Sequence, residues 1–369
     1  MRARALKQSL RQAGQQLKQR IQQTSPIGAI LMYHRVADLD VDPWGLAVTP
    51  DHFEEHLQVL RRYNCVLPLD QLAGQNCDRS LAWGSVAITF DDGYVDNLLY
   101  AKPRLEQYNL PATVYVSSAC INQTREVWWD ELEKIILLPD RLPERLHLNI
   151  RGRKYDWQLE RAAFYTDFER QRDRRIPVWQ ADPQTRLGFY YTLWQLLQPL
   201  FPEEQSWVLD ALLNWVGLEC SIRDSHRTLS LEELRQLDQG DLITIGAHTV
   251  HHPHLPSHHK SVQLKEILQG KYQLQGMLGH SITSFSYPFG GYTRETIQLI
   301  EQAEFENACS TIEDPVWWGS GNFTLPRFTV YNWDGKTFEQ HLNQWLANNL
   351  VAFPNSPAPQ PSPAPTVAS

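Results

Sequence analysis

Cysteine is scarce in this chain. Five occur in 369 residues, at Cys65, Cys77, Cys120, Cys220 and Cys309, and no two have Cys-x-x-Cys spacing. An odd count without that spacing argues against a disulfide framework and against a thiolate zinc site. No apolar run approaches the ~18 residues that a membrane span needs. The opening stretch, residues 1–23, has none of the apolar core of an export signal. Basic residues are outnumbered, 34 Lys and Arg against 42 Asp and Glu, for a formal charge of −8. Phosphate binding leaves a basic footprint, so nucleic acid is not an expected partner. These absences together lead to the expectation of a reducing cytoplasm. Tryptophan, by contrast, is plentiful: 13 copies, beside 14 Tyr and 13 Phe. That excess suits a large core or flat faces for sugar rings.

The length allows one large α/β domain or two smaller ones. Residues 1–24 carry Arg2, Arg4, Lys7, Arg11, Lys18 and Arg20 and no acidic residue, with Leu6, Leu10, Leu17 and Ile21 on one helical face. Two readings stand for this basic helix or tail: a weak contact with an anionic membrane surface at the inner face, or a solvated, frayed end. Residues 351–369 are rich in Pro, Ala and Ser and are expected to be disordered. Between the tails, over 25–350, short apolar runs alternate with helical patterns. Strands are expected at Ala29–Tyr33, Val86–Phe90, Thr113–Val116, Leu242–Ile245, Ser284–Tyr287 and Phe328–Val330. Helices are expected at Tyr94–Tyr108, Ser261–Leu278, Arg294–Ala303 and Phe338–Leu350, with Ser230 and Glu233 forming a capping box. Such alternation implies a parallel sheet, open or closed as a barrel. Residues 126–227 break the pattern. They read as a mostly helical insertion, holding Trp128, Trp129, Trp157, Trp179, Trp194, Trp207 and Trp215.

Three segments carry chemistry. Thr89-Phe90-Asp91-Asp92-Gly93 ends an apolar strand and precedes a helix. Adjacent carboxylates there repel each other unless a cation or a catalytic role offsets the cost; a polar turn in which one aspartate caps the helix is the plainer alternative. His248-Thr249-Val250-His251-His252-Pro253-His254 directly follows another apolar strand. Imidazole is a common metal ligand. The spacing of His248 and His252 is that of HExxH, but Thr249 stands where that motif has its glutamate. A solvated histidine-rich loop is the alternative. The third segment, Tyr33-His34-Arg35-Val36, places His34 at a strand end, and such ends converge on one face of a barrel. One aspartate and two histidines make a three-ligand site with open positions. A cation held there lowers the pKa of water and polarises a carbonyl, leaving a spare carboxylate as base and a histidine as acid. That is the chemistry of amide or ester hydrolysis.

TFDDG, the later HTxxH and the Tyr287-Pro288-Phe289-Gly290 segment resemble the polysaccharide deacetylases, the family 4 carbohydrate esterases with the NodB-homology domain. The resemblance covers roughly 27–125 and 228–345. It implies an α/β fold, a distorted (β/α) barrel, and leaves out the large helical insertion at 126–227. It also implies Asp91 as general base, Asp92, His248 and His252 as ligands of a divalent metal, zinc above all, and Thr249 as an orienting residue. His251 has no counterpart. Ser286 replaces an arginine that many members place against the base, and the Leu-x-His of many members is missing, with only His341 near the C-terminus. Both gaps resemble the circularly permuted poly-N-acetylglucosamine deacetylases, in which a YHxV segment supplies the acid. By that resemblance His34 is the acid, Arg327 supplies the missing arginine, and the backbone N–H of Phe289 helps hold the oxyanion. The expected activity is metal-dependent removal of N-acetyl groups from amino sugars of a polysaccharide or glycan precursor. An O-acetyl esterase, an amidase acting on a non-carbohydrate and an inactive sugar-binding protein remain as alternatives. Trp317, Trp318 and Trp333 are candidates for sugar stacking, with core packing as their plainer role. No partner protein is inferable.

Overall fold

A computed structural model describes residues 25–63 and 65–346; the basic segment 1–24 and the tail 351–369 lie outside the described residues. β1 (Ile27–Tyr33) is buried along its whole length. It runs into the two-residue strand β2 (Arg35–Val36), which pairs with β3 (Ala47–Val48). β4 (Ser85–Phe90) and β5 (Ala112–Val116) are also buried throughout. Continuous apolar runs of this kind belong to parallel strands covered on both faces. β6 (Arg145–Ile150) and β7 (Arg153–Gln158) form a separate antiparallel hairpin. The main sheet continues with β8 (Ile243–Ala247), β9 (Ser284–Ser286), β10 (Asn307–Cys309), β11 (Val316–Trp317) and β12 (Phe328–Thr329).

The strand order is β10-β9-β8-β5-β4-β1-β11, with β12 also on β1. All pairings are parallel except β1 with β11. The sheet curls into a half-barrel whose edges are spanned by the segment entering β12: Leu325 bridges to Cys309 on one edge, while Phe328 and Thr329 pair with Leu31 and Met32 on the other. The α/β barrel-type fold expected from the sequence is therefore present, with its closure left to one short segment. Helices flank the sheet, and their ends follow local chemistry. Helix Leu231–Asp238 starts at the expected Ser230–Glu233 capping box. Helix Pro50–Tyr63 carries Asp51 in its first turn and Arg61 and Arg62 in its last, matching its dipole. The C-terminal helix is described over Gly335–Leu346.

Two features depart from the sequence reading. The helix expected over Tyr94–Tyr108 starts later: Tyr94 makes an isolated bridge to Thr228, and a widened π-turn over Asn97–Ala101 leads into helix Lys102–Tyr108. Pro103 has no N–H to complete a regular turn there, so the ladder loosens before it. The insertion is also not wholly helical. Helices Trp128–Leu137, Asp167–Asp173, Arg186–Leu197 and Pro202–Val216 surround the β6–β7 hairpin. Its turn residues Arg151 and Gly152 both have positive φ, 52° and 80°, which suits a two-residue hairpin loop. Along β6, Leu146, Leu148 and Ile150 point inward and alternate with exposed residues, a period of two that the surrounding helical patterns obscure.

The apolar core falls into two main clusters. One joins the sheet to its helices; the other is drawn almost wholly from 128–213 and includes Trp128, Leu132, Leu193 and Leu212. Val41, Trp44 and Phe289 come from the barrel loops and pack against the second cluster, so the insertion sits on the end of the sheet where those loops emerge.

Candidate active site

Asp91 and Asp92 follow β4, His34 follows β1, His248 follows β8, and Ser286 ends β9. These are neighbouring strands with parallel register, so their C-terminal ends open onto one face. The backbone there is held in unusual shapes. Asp92, Thr249, His252 and Phe289 all have positive φ, at 74°, 67°, 57° and 56°. Non-glycine residues in that region store strain, and several together at one place mark a functional site. Gly93 (φ 70°) makes the sharp turn after the aspartates, where a Cβ would meet both methyls of Val116 at 3.1 Å.

Asp92, His248 and His252 converge, all buried, with ligand atoms within 4.8 Å of one another. Asp92 Oδ1 lies 3.2 Å from His252 Nε2 and 3.6 Å from His248 Nε2, and the two Nε2 atoms are 3.0 Å apart. His248 Nδ1 donates to the Ser286 carbonyl at 2.7 Å. In a neutral ring that bond leaves Nε2 as a lone pair, turned towards a carboxylate oxygen. A divalent cation held between them would turn this opposition into coordination, with the Ser286 carbonyl as the outer partner orienting the ring. The donor set, one carboxylate and two imidazoles, is that of a zinc-type site. Burial holds His252 below the ordinary imidazole range despite Asp92, which favours its neutral, ligating form. Burial also acts to raise Asp92, but the facing imidazoles of His248 and His252 outweigh it, so this carboxyl lies well below the usual range.

The loop carrying both histidines is fixed from behind. Thr249 Oγ1 accepts from the His252 amide at 3.0 Å, and Glu266 accepts from the amides of Val250 and His251. His251 turns to Glu266, with Nδ1 at 2.8 Å from the carboxylate. Gly270, in helix Lys260–Leu278, lies directly under Thr249; a Cβ there would come within 2.7 Å of the Thr249 carbonyl. We expect Gly270→Ala to destabilise the fold by about 1–3 kcal/mol, although alanine favours helices, because the clash is with backbone. Zinc affinity should weaken with it; thermal unfolding and zinc titration check both.

Asp91 is held separately. Arg327, fully buried, makes a bidentate pair with it, Nη1 to Oδ1 and Nη2 to Oδ2, both at 2.7 Å. The guanidinium also donates to Thr89 Oγ1, Ser286 Oγ and the Ser310 carbonyl. Burial tends to raise Asp91, but Arg327 prevails and the carboxyl lies below its ordinary range. Ser286 Oγ is 3.3 Å from Asp91 Oδ2. The serine standing where many family members have arginine therefore touches both the arginine and the aspartate. His34 is half-buried at the mouth of a small cavity and close enough to act electrostatically on both aspartates.

An aromatic wall covers one side. The Phe289 ring packs on His252 with centroids 4.4 Å apart, Trp129 packs on the same imidazole at 4.7 Å, and Trp194 meets Phe289 at 5.6 Å. Trp44 stands beside Trp194. The candidate stacking residues named from sequence lie elsewhere. Trp317 pairs with Ile27 at the opposite end of β1, Trp318 packs on it, and Trp333 stacks on His341 at 3.9 Å. All five cysteines are free, and among the described residues no helix is long and apolar enough to cross a membrane.

The chain is similar to known proteins in sequence and in fold. The family profile described as polysaccharide deacetylase matches residues 79–137 and 221–308. YxkH of Bacillus subtilis (strain 168), assigned to the polysaccharide deacetylases, is 29% identical over 108 residues, which is 29% of this chain and 37% of that protein. The fold is similar to the Streptococcus pyogenes deacetylase PplD, solved with acetate, at TM-score 0.54 and 18% identity, covering 86% of this chain and 99% of that one. It is also similar to IcaB from Ammonifex degensii, at TM-score 0.53 and 15% identity, covering 88% and 98%. The family match breaks off at the end of the first inserted helix and resumes as the chain returns to the barrel, so the likeness to the polysaccharide deacetylases rests on the segments that carry Asp91, Asp92, His248 and His252.

Proposed function

We propose that this protein is a metal-dependent hydrolase that removes N-acetyl groups from amino sugars of a polysaccharide or glycan precursor. The observation that carries the reading is the pairing of two units at one end of the sheet: a buried carboxylate clamped by Arg327, and an Asp92–His248–His252 cluster whose donor atoms face one another. When bound in that cluster, a divalent cation, zinc above all, makes water more acidic and polarises a carbonyl. The chain's own groups do the rest. Asp91 accepts the proton of the attacking water, while Arg327 and Ser286 hold its carboxylate in place. The Phe289 amide donates to the carbonyl oxygen as charge builds there. His34, protonated, gives its proton to the departing nitrogen as the carbon–nitrogen bond breaks. Acetate and a free amine result. Trp129 and Phe289, packed on His252, keep water from one side of the site.

The test is acetate release from N-acetylglucosamine oligomers by the full chain. Release should stop with chelator and return with added zinc. Release from O-acetyl esters alone would replace this reading with an esterase, and release from neither would end it.

A further inference from the structure

We propose that Asp130, Glu133 and His226 form a second divalent-cation site, of the zinc or manganese kind, where the insertion leaves and rejoins the barrel. Asp130 and Glu133 are three residues apart on helix Trp128–Leu137, so they share a face. His226 lies on the returning segment, in the short turn Asp224–His226. All three are buried, at 8%, 3% and 5% exposure, and their ligand atoms lie within 4.8 Å of one another.

The support around them is that of a built site. His226 Nε2 is buried and has no hydrogen-bond partner, yet it points at Glu133 Oε2, 3.6 Å away. That separation is close to the edge of a tetrahedron with bonds of about 2.0–2.2 Å. The other imidazole nitrogen, Nδ1, is anchored on Ser225 Oγ at 2.9 Å. Asp130 Oδ2 accepts from the Tyr94 hydroxyl at 2.7 Å, and Glu133 Oε1 accepts from Arg223 at 3.0 Å. Each carboxylate thus has one oxygen held by an outer partner, the arrangement that orients metal ligands.

Charge leads the same way. Arg35 is committed to Asp96, and Arg223 is shared between Glu126 and Glu133. Among the described residues no salt bridge reaches Asp130. A cavity of about 30 Å³ opens beside the three groups, room for an ion with a water. A proton shared between the carboxylates would ease their repulsion but leave His226 Nε2 unpaired; a cation satisfies all three groups. Two carboxylates and an imidazole suit zinc or manganese better than a soft-metal site. Bound there, the ion ties the departing helix to the returning segment. Trp129, next to Asp130, donates its Nε1–H to Tyr94 and packs on His252, so the clip steadies the wall of the neighbouring site.

The experiment is a Zn²⁺ titration of the chelator-treated full chain by calorimetry, with metal content measured after dialysis. Wild type should take two equivalents, His226→Ala one, the His248→Ala/His252→Ala pair one, and the triple variant none. Zinc should also raise the melting temperature of the His248→Ala/His252→Ala protein, and should not raise that of the triple variant. If His226→Ala does not fold, Glu133→Gln, which keeps the side-chain shape, is read by the same stoichiometry. A His248→Ala/His252→Ala protein that binds no zinc, or a folded His226→Ala or Glu133→Gln protein that binds as many equivalents as wild type, overturns the second site. The outcome is independent of the deacetylase reading, whose failure would appear as missing acetate release from a protein that still binds two equivalents.

Discussion

Replacing Asp91 with asparagine should cut turnover by about 10²–10⁴-fold, the usual worth of a positioned acid or base, while bound zinc stays at the wild-type level. The reason is the division of labour between adjacent residues. Asp92 turns its Oδ1 towards His248 and His252, whereas both Asp91 oxygens face Arg327. His252→Ala should do the reverse: zinc at the Asp92 cluster is lost, and activity goes with it. His34→Ala should resemble Asp91→Asn in kinetics but not in stability. His34 is half-buried, and its removal strands no buried charge. Asparagine at 91, by contrast, turns an amide N–H₂ towards a guanidinium that is itself only a donor, so its melting temperature should fall. Turnover, zinc content and thermal unfolding measured on all three variants separate these effects. Near-normal turnover in His34→Ala would remove that residue as the acid.

Strand-end chemistry is what the sequence makes visible. Asp91, Asp92, His248 and His34 each follow an apolar run, and a parallel sheet brings such ends together whatever lies between them. His252 is visible through its spacing from His248. Arg327 is a different case. It lies 236 positions from Asp91 and belongs to the closing segment before a two-residue strand, so no local pattern points to it; only the resemblance to a family whose usual arginine is replaced here by Ser286 does. Ser286 carried a weak signal, a hydroxyl at the end of a buried strand, but its contacts with Asp91 and Arg327 depend on how β9 meets β12 in space. The stacking candidates and the aromatic wall lie apart for a similar reason. Trp317 ends a strand antiparallel to β1 and Trp318 follows it, which reverses the end on which they fall, while Trp129 and Trp194 reach the site only because the insertion folds back over it, where Trp44 of a barrel loop meets Trp194. The positive φ of Asp92, Thr249, His252 and Phe289 left no trace in residue type, since none of these positions is glycine.

Arg327→Met should destabilise the protein by about 3–5 kcal/mol near neutral pH, because it leaves the Asp91 carboxylate buried without its partner. The pH dependence tells this apart from simple loss of packing. In wild type Arg327 outweighs burial and holds Asp91 below its ordinary pKa. The pair's contribution is therefore present above the unfolded carboxyl value of about 4 and is lost as pH falls through the lower folded value. In the variant burial prevails and the folded pKa rises above the unfolded one. Its stability should then decline as pH rises through that interval, the opposite slope to wild type. The acid limb of kcat/KM, which follows ionisation of the base in the free enzyme, should move up by about 1–3 pH units. Arg327→Lys should recover part of the stability and less of the rate, since a single ammonium cannot donate in parallel to both Asp91 oxygens and also reach Ser286 and Thr89. An acid limb that stays in place in a folded Arg327→Met protein would mean that Asp91 is not the group whose ionisation governs the reaction.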